Sequence, residues 1–323
     1  MKKIMATLVT AVVPVLALHA GSAHAVYPDR PIRIIVPFAP GGIADGTARL
    51  IASELSANLG QPVIVENRPG GAAIIGTQQV AKAPGDGYTL LMATTNVSTN
   101  SALYKKLPYD AEKDLVPVAL AVTIPGAIVT PISLPVKTFK ELINYAQQNP
   151  DKISYASVGL GSFSHLAVEG LAQRTSTRMV HIPYKGYAPA IASVLAGETQ
   201  LLASDVQGAL PYLQTGRMKV LAVTGVKRVS VLPDVPTLHE MGVKDYQAVG
   251  WLGIMAPAGT PSQIVSLLNA EVNKAMQKPT AVQRYTEQGV DVFVGDPGAF
   301  KKFLNENKAG WEKVIKAGNI SLD

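Results

Sequence analysis

Gly41 and Gly42 stand between an apolar, β-branched run, Ile34-Ile35-Val36, and a segment with helical spacing, Ala48, Leu50, Ile51, Ala52 and Leu55. The run suits a buried strand. Pro37 and Pro40 stop it, because neither can donate a ladder hydrogen bond. The glycines allow a tight turn, and Asp45 and Thr47 stand where a helix begins. A strand, a glycine turn and a helix start aim unpaired backbone N–H groups at one point, a geometry that binds anions. The stretch lacks the Lys-Ser/Thr ending of a P-loop and the G-x-G-x-x-G of a dinucleotide site.

A second set of residue types suggests hydrolysis. Ser162, Ser164, His165 and Asp205 supply a nucleophile, a base and an orienting acid by type. No G-x-S-x-G elbow surrounds either serine, and adjacency of Ser164 and His165 is not triad geometry. His239-Glu240 lacks the second histidine of a zinc protease motif. The expectation is a protein that is not an enzyme and holds no metal or other cofactor. A periplasmic serine hydrolase is the minor alternative.

The 323 residues are 47% hydrophobic and 16% charged, enough to bury a large core in two domains or one large one. Cysteine is absent, which removes disulfides and thiolate metal sites. Lys2 and Lys3, an apolar run from Ile4 to Leu18 and Ala23-His24-Ala25 read as a signal peptide spanning 1–25, cleaved after Ala25. The run is too short and interrupted to span a membrane. Localisation is therefore expected in the periplasm. The formal charge of +6 is scattered, without an arginine-rich stripe or aromatic-interleaved patch, so nucleic acid is not an expected partner.

Along the chain, strands at Ile34–Val36, Val63–Val65 and Tyr88–Ala93 alternate with helices, which implies parallel strands and crossovers. Thr94 to Asn100 is a polar cluster after the third strand. Leu115–Val122 and Ala127–Thr130 read as two strands separated by Pro125-Gly126, the first crossing between domains. The alternation then repeats. Thr138-Phe-Lys-Glu141 is a capping box, Val158 to His165 is a loop after a strand, and Asp205 ends the strand that begins at Gln200. Val249–Ala256 is the return crossing, and Thr260-Pro261-Ser262-Gln263 reads as a cap, an N1 proline and a capping-box glutamine.

Several segments together resemble one family, the Bug (TctC-like) periplasmic solute-binding proteins of tripartite tricarboxylate transporters. They are Tyr27-Pro-Asp-Arg-Pro-Ile-Arg33, Val36-Pro-Phe-Ala-Pro-Gly-Gly-Ile-Ala-Asp45, Gly60-Gln-Pro-Val63, Val65-Glu-Asn-Arg-Pro-Gly-Gly71, Asp86-Gly-Tyr-Thr-Leu90 and Leu107-Pro-Tyr-Asp110. In the second half they are Tyr155-Ala-Ser-Val-Gly-Leu-Gly-Ser162, His181-Ile-Pro-Tyr-Lys-Gly186, Leu221-Ala-Val-Thr224, Leu232-Pro-Asp-Val-Pro-Thr237 and Ala256-Pro-Ala-Gly-Thr-Pro261. They span essentially the whole mature chain in the family's order.

The resemblance implies an α/β, two-lobed, type II-like Venus-flytrap binding protein, each lobe an α/β sandwich around a mainly parallel sheet. Lobe 1 is expected at 26–121 plus 253–323 and lobe 2 at 122–252, joined by two hinge crossings. It implies a small organic carboxylate ligand (a di- or tricarboxylate, or an aromatic one), membrane permease subunits as partners, and a monomer. A ligand-sensing subunit that presents its closed form to a membrane receptor is the alternative. Two loops would grip one carboxylate through backbone N–H groups, partly through ordered water. By matching position these are Ala39, Gly41, Gly42 and Asp45, with Phe38 beside them, and Gly159, Gly161, Ser162 and Phe163. Thr94, Thr95, Asn96, Tyr184 and Asp205 are candidates for reading the far end.

Departures from the family pattern are Phe-Ala-Pro in the first turn, Asn67-Arg-Pro-Gly-Gly-Ala in the second, and Asp205-Val206-Gln207 in place of Asp-Asn. Each candidate also has a duller role. Asp45 could cap its helix, orient bridging water or accept from a ligand donor. His165 is expected as a structural hydrogen-bonder and Trp251 as hinge core. Phe163 could be wall or core, and Tyr184 and Lys185 could simply pack and solvate a strand end.

Overall fold

The structure, a computed structural model, describes residues 27–244 and 246–322, so the signal peptide expected at 1–25 lies outside the described residues. The first lobe opens with β1 (Ile32–Val36), α1 (Ile43–Leu59), β2 (Val63–Asn67), α2 (Ile74–Ala81), β3 (Thr89–Thr94), α3 (Asn96–Leu103) and α4 (Ala111–Asp114). The long strand β4 (Leu115–Pro131) leads into the second lobe. There α5 (Phe139–Gln148), β5 (Ser154–Ser157), α6 (Phe163–Thr175), β6 (Val180–Pro183), α7 (Tyr187–Ala196), β7 (Leu201–Asp205), α8 (Val206–Gln214) and β8 (Met218–Val223) follow. The strand β9 (Val249–Pro257) returns, and α9 (Ser262–Met276), α10 (Pro279–Glu287), β10 (Asp291–Val292) and α11 (Pro297–Ala317) close the chain.

Strand order is β2-β1-β3-β9-β4-β7-β5-β6, with β8 and β10 also paired to β4. Within each lobe the sequential strands are parallel: β1 pairs with β2 and β3, and β5 with β6 and β7. Helical crossovers enforce this, because parallel neighbours need a long connection. The chain therefore leaves each parallel strand at its C-terminal end and enters a helix there. In β1, Ile32, Ile34, Ile35 and Val36 are fully buried on both faces of the sheet, as a covered parallel strand requires. Helix α1 lays Ala44, Ala48, Ile51, Ala52 and Leu55 into the same core and stops at Gly60 in the left-handed conformation.

The two strands expected at 115–122 and 127–130 are one. β4 pairs with β9 from Leu115 to Pro125, then with β7 from Gly126 to Val129 and with β8 from Ala127 to Pro131. Pro117 sits at a register shift, where its missing N–H disturbs the ladder least. β4 and β9 are antiparallel partners and together carry the chain between lobes. A third link was not foreseen. Phe300 of α11 belongs to a first-lobe core with Leu91 and Trp251, whereas Trp311 and Ile315 of the same helix belong to a second-lobe core with Leu142 and Tyr155. The expectation that 253–323 stays with lobe 1 thus meets a helix that contributes to both cores.

Three local expectations are corrected. The polar cluster 94–100 runs into a helix, α3, whose Ser98, Thr99 and Asn100 are buried. Asp205 is followed by α8, which contains Pro211 at the expense of one intrahelical bond. Thr260 does not cap α9: its hydroxyl donates to Pro257 O at 2.8 Å, and Pro261 occupies the N-cap. The Thr138 cap forms as expected, accepting from Glu141 N–H.

Candidate functional site

A cleft of about 650 Å³ lies between the lobes. The first lobe supplies Phe38 and Gly42–Ala44 after β1, Ala72, and Thr94–Asn96, Thr99, Asn100 and Leu103 after β3. The second supplies Val158–Phe163 and Leu166 after β5, and Asp205 at the end of β7. Ile124 of β4, Gly250–Leu252 of β9, Trp311 and Leu322 complete the lining.

The starts of α1, α3, α6 and α8 therefore meet at one cleft, two from each lobe. Each brings first-turn N–H groups that have no intrahelical acceptor. At α1 the N-cap is Gly42 and no side chain caps the helix, so the Ile43, Ala44 and Asp45 N–H groups have no acceptor within the helix or from a cap. The α3 start at Thr95 is likewise uncapped. In the second lobe Ser162 caps α6 by accepting from His165 N–H, and Asp205 caps α8 by accepting from Gly208 N–H at 2.6 Å. Partial positive charge from converging helix starts makes the cleft attractive to anions. Among the described residues Asp205 is the sole ionisable side chain in the lining, and burial pushes its carboxyl up. Among the described residues no lysine, arginine or histidine lines the cleft, so the donors it offers an anion are main-chain N–H, hydroxyl and amide groups.

The glycines expected to grip the ligand have another duty. Gly41 N–H donates to Asp45 Oδ2 at 3.1 Å, and Gly161 N–H donates to His165 Nδ1 at 3.0 Å. Gly159 N–H donates to Ser157 Oγ and Ser162 N–H to Gly159 O, both at 3.2 Å. These donors close the turns. Gly41 takes φ of +94°, which L side chains rarely adopt. The glycines thus shape the two loops, and the donors left to face the cleft sit at the helix starts.

Asp45 is buried and does not cap α1. Its carboxylate bridges Gly41, Arg49 Nε at 3.0 Å and Asn67 Nδ2 at 2.9 Å, and Asn67 also donates to Phe38 O. The Arg49 hydrogen bond, with those from Gly41 and Asn67, lowers the carboxyl to about 2 against the cost of burial. Asp45, Gly41 and the exposed Ala39 stand behind the cleft and do not line it. Tyr184 does not line it either; it packs against a second-lobe core with Val158 and Tyr187. Phe38, Gly42, Thr94, Thr95, Asn96, Gly159, Gly161, Ser162, Phe163 and Asp205 do.

Trp251 is almost fully buried in the hinge region, donates to Asn307 Oδ1 and floors the cleft. Its backbone N–H donates to Thr95 Oγ1 at 3.2 Å, fixing the start of α3. Trp311 and Leu322 were not foreseen. Both reach the cleft from the far end of the chain, and Leu322 N–H donates to Leu103 O at 2.9 Å. No local pattern marks them. Ser162, His165 and Asp205 do not form a hydrolytic triad, because His165 Nδ1 is engaged by Gly161 N–H, Ser162 Oγ donates to Gly159 O at 2.6 Å, and Asp205 Oδ1 accepts from Gly208. Among the described residues no group of three or more histidines and acids is placed to hold a metal, and no helix is long and apolar enough to cross a membrane.

The chain is similar along most of its length to known proteins. The model of the tripartite tricarboxylate transporter family receptor matches residues 47–320. Protein BugT of Bordetella pertussis is 34% identical over 322 residues, covering 98% of this chain and 99% of BugT. A protein encoded in the tcbD-tcbE intergenic region of Pseudomonas sp. strain P51 is 38% identical over 290 residues, 90% of this chain and 86% of its own length. Among solved structures, R. palustris Rpa4515 with adipate superposes with a TM-score of 0.79 at 35% identity, covering 92% of this chain and 100% of that one. MatC from Rhodopseudomonas palustris with bound malate gives 0.74 at 32% identity, covering 90% and 100%.

Proposed function

Because this chain belongs to the tripartite tricarboxylate transporter receptor family, whose members are periplasmic solute-binding proteins and not enzymes, we propose that it captures a small organic carboxylate between its lobes. The observation that carries this reading is the meeting of four helix starts around a cleft with no basic side chain among its described lining residues. Backbone dipoles fixed by the fold can hold a carboxylate without a lysine or arginine. The first carboxylate sits between the start of α1, at Gly42 to Ala44, and the loop from Gly159 to Phe163. Thr94, Thr95, Asn96 and Asp205 face the rest of the molecule and select it.

Contacts from both lobes favour the closed form, since only a ligand that binds one state better shifts the balance toward it. The closed form then delivers its cargo to membrane permease subunits of a tripartite transporter. The leader at 1–25 sends the chain to the periplasm and is removed after Ala25. The adipate and malate held by the two structural relatives give the chemical range to search first. A thermal-shift screen of the mature protein against mono-, di-, tri- and aromatic carboxylates is the test. At least one should raise the melting temperature in a saturable manner, while matched amines and sugars do not. If no carboxylate does so, the reading is lost.

A further inference from the structure

Two histidines stand behind the second-lobe loop, and neither lines the cleft. His165, in the first turn of α6, and His181, on β6, stack face to face with ring centroids 3.9 Å apart and planes 13° from parallel. The ring of Tyr155 of β5 lies near parallel to both, 4.9 Å from His181 and 6.3 Å from His165 between centroids, and its hydroxyl donates to Glu169 of α6. Each imidazole then reaches one corner of the loop. His165 Nδ1 accepts from Gly161 N–H at 3.0 Å. His181 Nε2 lies 2.6 Å from Ser157 Oγ, which in turn accepts from Gly159 N–H and donates to Gly159 O.

Resting on the carboxylate reading above, we infer that His165 and His181 are positioning residues for the anion-holding loop, acting as a stacked pair of neutral acceptors and donors. The chemistry requires neutrality. Because Gly161 N–H points at Nδ1, the His165 ring carries its proton on Nε2; a second proton on Nδ1 would set two donors against each other. Stacking adds to this, since two imidazolium rings at 3.9 Å repel. Burial lowers both rings to about 4, and His165 lowers His181 further, so both are neutral near pH 7. The titratable and charged groups that face the pair are Glu169 from α6 and Tyr155 from β5; Glu169 alone opposes the lowering at His181. Gly159 and Gly161, at φ of +130° and +72°, have no side chains of their own to steady the loop. The histidines supply that support from outside.

The test uses the mature chain with His165→Leu, which removes the acceptor, and His165→Asn, whose Oδ1 replaces Nδ1 as acceptor for Gly161 N–H. Amide exchange of Gly161 in the ligand-free protein is the first readout. It should quicken about tenfold or more in the leucine variant, as loss of one buried hydrogen bond implies, and stay near the parent rate in the asparagine variant. Unchanged exchange in the leucine variant overturns the inference. Titration with adipate and malate is the second readout. Affinity for whichever acid the parent binds should fall at least about tenfold in the leucine variant and recover in the asparagine variant. Equal affinity in all three overturns the positioning role while leaving carboxylate binding intact. A parent that binds no carboxylate removes the functional reading, and the exchange rates still decide whether the histidines hold the loop. If the leucine variant fails to fold, His181→Gln, with Gly159 exchange as its readout, takes its place.

Discussion

Asn67 donates one side-chain hydrogen bond to Asp45 Oδ1 at 2.9 Å and another to Phe38 O at 3.0 Å, so one amide ties β2 to the turn that follows β1. Asp45 completes the brace by accepting from Gly41 N–H and Arg49. The departure of this sequence from its relatives after Asn67 therefore falls beside a residue that shapes the first jaw.

Replacing Asp45 by alanine leaves Asn67 Nδ2 and Gly41 N–H without their shared acceptor. We expect a loss of about 1–3 kcal/mol in unfolding free energy and weaker carboxylate binding, whereas Asp45→Asn retains one acceptor and binds with intermediate affinity. Urea denaturation and calorimetric titration of the two variants check this. Parent-like affinity in Asp45→Ala would show that the brace does not shape the site.

Neighbouring glycines should respond in opposite ways. Gly41, at φ of +94°, is strained by any side chain, and Gly41→Ala should cost about 1–2 kcal/mol of stability. Gly42 has φ of −80° with open space at the Cβ position, so Gly42→Leu should melt close to the parent yet project into the cleft. Its carboxylate affinity should drop by about tenfold or more. Unaltered affinity in Gly42→Leu would remove the start of α1 from the site.

The chain has two tryptophans, and both line the cleft. Ligand binding should therefore change intrinsic emission in a saturable way, with the same midpoint as calorimetry. Trp251→Phe and Trp311→Phe should each delete part of the signal. Heat evolved on binding with no emission change would move the ligand elsewhere.

Acid stability carries a separate signature. His165 and His181 titrate at about 4 when folded and near 6.5 when unfolded, so below pH 6.5 the unfolded chain binds more protons. Their neutral packing stabilises fully above 6.5, and that contribution is lost progressively as pH falls to about 4. Asp45, lowered to about 2, keeps its contribution until pH falls below the ordinary carboxyl value of about 3.8. Melting temperature should thus decline in two stages. His165→Asn should flatten the first stage and leave the second. A parent curve that is flat from pH 6.5 to 4 would contradict the buried neutral pair.

Much of the architecture was legible because β1, β3 and α1 obey strong local rules: short apolar runs, proline stops, glycine turns and helical spacing. The turn from Gly159 to Ser162 after β5 was legible for the same reason, and its expected role came from the family resemblance. α3 escaped because Ser98, Thr99 and Asn100 are polar yet buried, so no apolar stripe announces a helix. α8 was hidden behind Pro211. The turn-closing hydrogen bonds of Gly41 and Gly161 were not foreseen, for a different reason. Which partner takes an N–H depends on side chains folded back over the turn, and spacing alone does not say whether Asp45 or His165 will do so. Trp311 and Leu322 enter the cleft through tertiary packing that no neighbouring residue encodes.

The path of α11 constrains how the two halves can move. A pair of adjacent strands is a ribbon, and a ribbon both bends and twists easily. A rigid rod packed along that ribbon and anchored in both halves resists the twist and leaves the bend. With Phe300 fixed at one end and Trp311 and Ile315 at the other, the closure proposed above is expected to follow a single soft coordinate. On that reading the jaws meet in the same alignment each time, and a small solute between them need not organise the approach.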